Sequence, residues 1–377
     1  NGDLKSEPMT ANWFNQPLDV DFSTTEGTKA YQVAVNLKGD WQPTRMGILP
    51  TQVNDALSGS MAWNGKVGIE LPYHAGATYN IELKSDLKNV SSHLPAPLNK
   101  ARGESLPVNV KADGNLRSFD LTGNAGNKNH FNSHWLLNQK LTLDRAIWTS
   151  ESRTVPALPD QQGVELNLPP MDGAQWLALF QKGAADNVGT NANFPQRITV
   201  RTPSLSLGGQ QWNNLSIVSE PALNGANIQA QGREINATLA MRNNAPWQAF
   251  IKYLYYNPGT AKSSQKTASA SPFSDIGRVS FRGWPDVQFR CAECWMWGQK
   301  YGRIDADVAI KGDTLTLSSG LLDTGFARLT LDGEWVNVPG KERTSLKGKL
   351  NGNKIDSAAG FFGVSTPIRN SSFNVEY

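Results

Sequence analysis

Apolar and polar residues alternate with period two along most of the chain, the pattern of strands with one apolar and one wet face. Early examples are Leu18, Val20 and Phe22; Tyr31, Val33, Val35 and Leu37; Tyr79, Ile81 and Leu83; and Val108 with Val110. In the middle come Val164, Leu166 and Leu168; Ile198 and Val200; Leu205 and Leu207; Leu215 and Ile217; and Ile235, Ala237 and Leu239. Late examples are Val279 and Phe281; Val287 and Phe289; Ile304, Ala306 and Val308; Leu315 and Leu317; and Leu329 with Leu331. Asn64-Gly65, Asp113-Gly114, Gly123-Asn124, Lys311-Gly312-Asp313 and Asp332-Gly333 carry turn chemistry and predict hairpins. Helical spacing is brief: Gln52 to Leu57, Ala174 to Phe180, Trp247 to Tyr255, and Lys354 to Phe362. Three or four short helices cannot cover so much sheet.

The Ser/Ala-rich stretch Gly259 to Ser274 has no periodicity and predicts a flexible loop between a first part, 1–258, and a continuation, 275–377. Two short repeats suggest stacked β units. Gly209 to Leu215 matches Gly298 to Ile304, and Leu-x-Gly-acid-Trp occurs at Leu37 to Trp41 and again at Leu331 to Trp335.

Composition narrows the function. The 377 residues contain 36 Lys plus Arg against 33 Asp plus Glu, a net charge of +3, which gives no support to nucleic acid as a partner. With 39% apolar residues the chain can bury a core, so global disorder is excluded. No run approaches the 18 or so apolar residues of a membrane-spanning helix. Asn1 to Thr10 is neither a signal peptide nor an initiator-Met start, and Phe373, Val375 and Tyr377 alternate to the last position. The expectation is a segment of a longer chain.

Candidate chemistry is sparse. Cys291 and Cys294 leave several readings open: a disulfide, inert thiols, a metal site or a redox pair. His130 and His134 stand four apart in an Asn-rich stretch that is not helical, so no metal site is expected there. No supported His base, Gly-x-Ser-x-Gly, Walker or Rossmann pattern occurs, so neither an enzyme nor a cofactor is expected. Asp305 and Asp307 share a strand face and read as solvated acids. The 12 Trp residues could fill a core, line a lipid boundary or stack on sugars. On the last reading Trp13, Trp41, Trp63 and Trp212 would serve a structural or carbohydrate-binding envelope protein.

A sheet apolar on one face must pack on another sheet, close into a barrel, or stay open around something apolar. Ser85 to Lys100, the run from Pro156 through Gly163 to Trp176, the stretch Leu207 to Asn227, and Trp284-Pro285-Asp286-Val287 with Cys291, Cys294 and Gly302 to Asp305 together resemble the AsmA-like envelope proteins, a bridge-like lipid transfer family. The resemblance covers nearly the whole chain. It implies a mostly β fold: a long, highly curved antiparallel sheet forming an open, taco-like apolar groove. It also implies a periplasmic segment of a Gram-negative protein anchored in the inner membrane. Such a protein would conduct phospholipids between inner and outer membrane, with acyl chains, both membranes and the rest of the chain as partners. In the oxidising periplasm Cys291 and Cys294 would be paired.

The candidate groove lining follows from alternation. It comprises Val33, Val35, Leu37, Ile81, Leu83, Val108, Val110, Leu166, Leu168, Ile198, Val200, Leu205, Leu207, Leu215, Ile217, Ala237, Leu239, Phe281, Phe289, Ala306, Val308, Leu315, Leu317, Leu329 and Leu331.

Overall fold

The computed structural model describes residues 3–47, 49, 51–183, 192–193, 195–259, 285–338, 343–361, 367–369 and 371–376. The chain divides into two compact units, Asn1–Thr202 and Pro203–Tyr377. Both are dominated by strands, and the described strands do not close into a barrel.

The first unit holds β1 (Leu4–Lys5), β2 (Met9–Trp13), β3 (Gln16–Glu26), β4 (Ala30–Trp41), β5 (Leu57–Gly59), β6 (Met61–Pro72), β7 (Thr78–Ser85) and β8 (Val90–Ser92). It continues with β9 (Val108–Asn115), β10 (Ser118–Ala125), β11 (Asn129–Leu137), β12 (Leu141–Thr149), β13 (Gly163–Asn167), β14 (Met171–Asp172), β15 (Ala192–Asn193) and β16 (Ile198–Leu207), which runs across the division. β2 through β12, leaving out β5 and β8, form an antiparallel run of neighbours. β5 and β8 make a separate two-stranded sheet. The second unit contains β17 (Gln210–Ala222), β18 (Gly225–Gln231), β19 (Ile235–Arg242), β20 (Trp247–Tyr256), β21 (Val287–Met296), β22 (Gln299–Lys311), β23 (Thr314–Asp323), β24 (Ala327–Val336), β25 (Arg343–Gly352) and β26 (Phe373–Glu376).

The sheet is mixed rather than wholly antiparallel. β12 pairs parallel to β13, β13 to β16, and β20 to β21. Each parallel pair follows a long connection, 150–162, 168–197 or 257–286, because a parallel neighbour requires a crossover of about a dozen residues or more. The predicted loop 259–274 lies outside the described residues beyond Gly259. Asn132 Nδ2 donates to Pro156 O and Arg145 Nη1 to Pro159 O, at 3.0 and 3.3 Å. The 150–162 crossover therefore rests on the polar side chains of β11 and β12.

Three predicted helices form: α1 (Thr51–Asp55), α2 (Gly173–Gly183) and α3 (Ile355–Phe361). The fourth, Trp247 to Tyr255, is instead strand β20, hydrogen-bonded on both sides. Its helix-like spacing has a local cause. A bulge next to β19 leaves Lys252 unopposed, so Ile251 and Leu254, three apart, follow one another along one face.

Four of the predicted turns are also strand interior. Gly65, Gly114, Gly123 and Gly333 lie within β6, β9, β10 and β24. A Cβ on Gly65 would meet Leu83 Cδ2 at 2.7 Å and one on Gly123 would meet Phe131 Cζ at 2.6 Å. These glycines make room for a large neighbour across the ladder rather than turning the chain. Lys311-Gly312-Asp313 does join two strands, β22 and β23.

In the second unit Cys291 and Cys294 are joined by a disulfide and buried, each 1% exposed, against Ile251. The register between β21 and β22 shifts between the two cysteines, so the disulfide spans a bulge. Closing so short a loop is worth about 2 kcal/mol in the chain-entropy view. The double variant Cys291→Ala, Cys294→Ala should lose about that much stability in urea unfolding, with amide exchange rising first in β20 to β22.

Candidate functional site

Register puts the apolar members of successive strands on a common face. In the first unit Val20 opposes Leu37, Val35 opposes Val67, Val67 opposes Ile81, Ile81 opposes Ala112, and Ala112 opposes Leu121. The same face continues through Phe131 and Trp148 to Leu166 and Val200. The opposite face reads Asp21, Asn36, Lys66, Glu82, Lys111 and Thr122 in the same order of strands. In the second unit one face carries Ile217, Ala230, Ala237, Ile251, Cys291, Ile304, Leu322 and Leu329.

The predicted lining residues map onto these faces. Val33, Val35, Leu37, Ile81, Leu83, Val108, Val110, Leu166, Ile198 and Val200 share the face of the first unit. Leu168 follows β13, its amide bonded to Arg201 O. Ile217, Ala237, Leu239, Phe289, Ala306, Val308, Leu315, Leu317, Leu329 and Leu331 share the face of the second. Leu215 precedes Ile217 by two in β17 and is buried. Leu205 and Leu207 lie an odd number of residues beyond Val200 in β16, so simple alternation does not place them on the first unit's apolar face. Phe281 lies outside the described residues.

Most of these side chains are half-exposed, unlike the interior of a closed sandwich. Val33, Val35, Leu37, Val67, Ile81, Leu83, Val108 and Val110 are all neither buried nor fully exposed. Tyr79 is on the same face, and burial pushes its hydroxyl pKa up.

One end of the first unit's face is closed by aromatic rings that alternation alone had not selected. Trp41 and Trp63, 3% and 8% exposed, meet edge to face at 4.7 Å, and Leu18 joins them in a core cluster. Trp41 Nε1 donates to Pro17 O at 2.7 Å. Gly39 lies beneath both indoles, since a Cβ there would come within 2.8 Å of Trp63 Nε1 and 2.9 Å of Trp41 Nε1. In this first copy of the Leu-x-Gly-acid-Trp repeat Leu, Gly and Trp share the apolar face and the glycine clears space for the rings, whereas in the second copy a Cβ on Gly333 would meet Ser345 O and Leu346 instead. Trp13 and Phe14 extend the cluster, stacked at 5.0 Å. Together with Met46 and Leu83 these rings border an apolar cavity of about 320 Å³, at the lower end of the range for small-molecule sites.

Open clefts also lie against the polar faces, bordered by residues such as Gln32, Glu70 and Asn80, or Arg290, Arg303 and Asp305. A twisted sheet makes hollows on both sides, so lining chemistry rather than concavity distinguishes the apolar site.

Charges on the polar faces are engaged in surface pairs. The Lys84 ammonium bonded to Glu82 holds that carboxyl below the usual range, and Trp295 followed by Lys300 does so for Glu293. Arg328 holds Asp323 low. His134 pairs with Asp120 at 2.7 Å on strand β11, where His130 is four residues away and far from sharing a metal. No group of three metal-ligating side chains occurs among the described residues.

The sugar-stacking reading fails for two of its four residues, because Trp41 and Trp63 are buried in the core cluster. Trp212 is bonded through Nε1 to Leu207 O at 3.0 Å and stacks on Tyr256.

Fold and site define a strand-rich protein with an extensive apolar sheet face in each unit, largely half-exposed among the described residues, and no helix among them long and apolar enough to cross a membrane. Residues 1–377 match the family model described as YhdP protein, and the chain belongs to that family. It is 73% identical over 377 residues to the intermembrane phospholipid transporter YhdP of Escherichia coli (strain K12), covering 100% of this chain and 30% of that protein. No solved structure matches the chain significantly.

The aromatic closure should be the stability anchor of the first unit. Trp63→Ala should cost about 3–5 kcal/mol in chemical denaturation, whereas Val33→Ala, on the half-exposed part of the face, should cost well under half as much.

Proposed function

We propose that this chain is a periplasmic section of an intermembrane phospholipid conduit in which acyl chains travel along the open apolar face while head groups stay in water. The observation that carries the reading is the phase of alternation: from β3 to β16, one face stays apolar and half-exposed across successive hydrogen-bonded strands. The phospholipid transport for which the Escherichia coli relative is named agrees with that chemistry.

The energetic logic is direct. Moving a lipid tail through water costs about 0.8 kcal/mol per CH₂, or about 13 kcal/mol for a sixteen-carbon chain. A continuous apolar face removes most of that barrier without binding any one chain deeply. On this reading the remaining length of the protein supplies more of the same surface and links it to the inner and outer membranes, so the section itself performs no chemistry.

Val200 and Leu317 test the proposal, since both lie on apolar faces and both are half-exposed. Organic extracts of the protein purified without detergent should contain phospholipid by mass spectrometry. Val200→Asp and Leu317→Asp should remain folded by circular dichroism yet lose most of that lipid. A lipid-free parent whose aspartate variants unfold would make the face a packed core and reject the conduit, because an unpaired charge is ruinous only in a closed interior.

A further inference from the structure

The edge of the first unit's sheet opposite the aromatic cluster is chemically distinct. Four hairpin connections lie along it: 27–29 between β3 and β4, 73–77 between β6 and β7, 116–117 between β9 and β10, and 138–140 between β11 and β12. Each connection carries one basic side chain, Lys29, His74, Arg117 or Lys140, all exposed, and none contains an acid. Successive turns are two strands apart, about 10 Å.

Hydrogen bonds fix the turns in pairs. The Tyr73 amide donates to Lys29 O at 3.1 Å, and the Leu137 amide donates to Arg117 O at 2.7 Å. Glu26 directly precedes the first turn, and its amide donates to Asp3 Oδ1 at 3.2 Å. Glu70 and Asp113 belong to the polar face, opposite Gln32 and Asn80 respectively. Apolar side chains surface beside the basic ones: Leu71, Tyr73, Leu137 and Leu141 are exposed, and Leu116 is 74% exposed.

The second unit provides an internal contrast. Along one edge of its sheet the connections Leu223-Asn224, 243–246 and Gly312-Asp313 contain no lysine or arginine, although Arg242 and Lys311 flank two of them, and the connection 337–342 from the same strand ends carries Lys341 beside Glu342. The combination of one basic residue and no acid in every connection is therefore not shared by that edge.

We propose that this basic edge recognises the phosphate of a lipid whose acyl chains lie on the adjoining apolar face, tail ends toward Trp41 and Trp63. The assignment rests on the conduit reading and adds the orientation of the cargo. Charge complementarity selects the occupant: an anionic group tethered to an apolar body meets a cation at the border of the apolar face. The repeat of about 10 Å passes a head group from one turn to the next, and exposed cations grip it weakly enough to release it.

The test compares the whole chain with a Lys29→Gln, Arg117→Gln, Lys140→Gln variant, whose changes at exposed turns should leave the melting temperature unaltered. Binding of phosphatidylglycerol and of diacylglycerol with the same tails is measured by native mass spectrometry at low and high salt. The parent should prefer phosphatidylglycerol by about three- to tenfold at low salt, and the variant should bind both lipids equally, with diacylglycerol binding unchanged.

Equal preference in parent and variant would overturn the phosphate edge while leaving the conduit standing. Binding of neither lipid by the parent would remove both. Loss of inorganic phosphate binding in the variant, with the lipid preference unaltered, would make the edge a free-anion site and overturn the assignment. Loss of sedimentation with phosphatidylglycerol vesicles, without change in single-lipid binding, would instead make it a membrane-docking surface.

Discussion

Everything in the sheet depends on keeping the side-chain alternation in phase from strand to strand. Because the period is two, a slip of one residue in any register would turn that strand's apolar set into water. From β3 to β10 no register shift interrupts the ladders, and Val20, Leu37, Val67, Ile81, Ala112 and Leu121 remain on one side. Where the pairing does slip, bulges restore the phase. Ile251 and Leu254, Cys291 and Cys294, and Leu317 and Gly320 are each three apart, yet each pair bounds a register irregularity and stays with the apolar set. The disulfide sits at one of these corrections, holding the extra residue where the ladder alone would be weakest.

This dependence explains what the sequence disclosed. Strands such as Ala30–Trp41 and Thr78–Ser85 were legible because alternation is local and survives without knowledge of partners. Strand direction was not, since a period-two pattern is the same read parallel or antiparallel; only the long connections 150–162 and 168–197 hinted at crossovers. β20 read as a helix because its bulge imitates helical spacing, and Gly65 and Gly123 read as turns because a glycine that clears space for a neighbour looks like one that bends the chain.

The candidate site divides along the same line. Its aliphatic lining was legible from alternation, and the placement of Val35 beside Val67 and Ile81 needed only register in addition. Gly39 and Trp41 were visible as part of a repeat and Trp63 only as one of many Trp residues, and their closure of one end depends on three strands meeting. The basic edge was hidden more deeply. Lys29, His74, Arg117 and Lys140 are far apart in the chain, and an overall charge of +3 conceals their common border.

The two ends of the first unit's strands make its apolar face polarised as well as amphipathic. Connections at the aromatic end carry α1, α2 and the β5–β8 sheet, and they are tied together there: Trp176 Nε1 donates to Ala96 O at 2.9 Å and the His93 amide to Ala56 O at 2.8 Å. The opposite end has tight, exposed turns. A twelve-residue strand such as β4 is about 40 Å long, ample for a lipid tail laid along it. A molecule lying that way moves along the sheet by crossing strands, meeting nearly the same surroundings at each hairpin. Progress then requires only small barriers between equivalent positions, and no position needs to bind tightly. The fold achieves this by repeating one simple unit, a hairpin with one wet and one apolar side, rather than by building a single deep pocket.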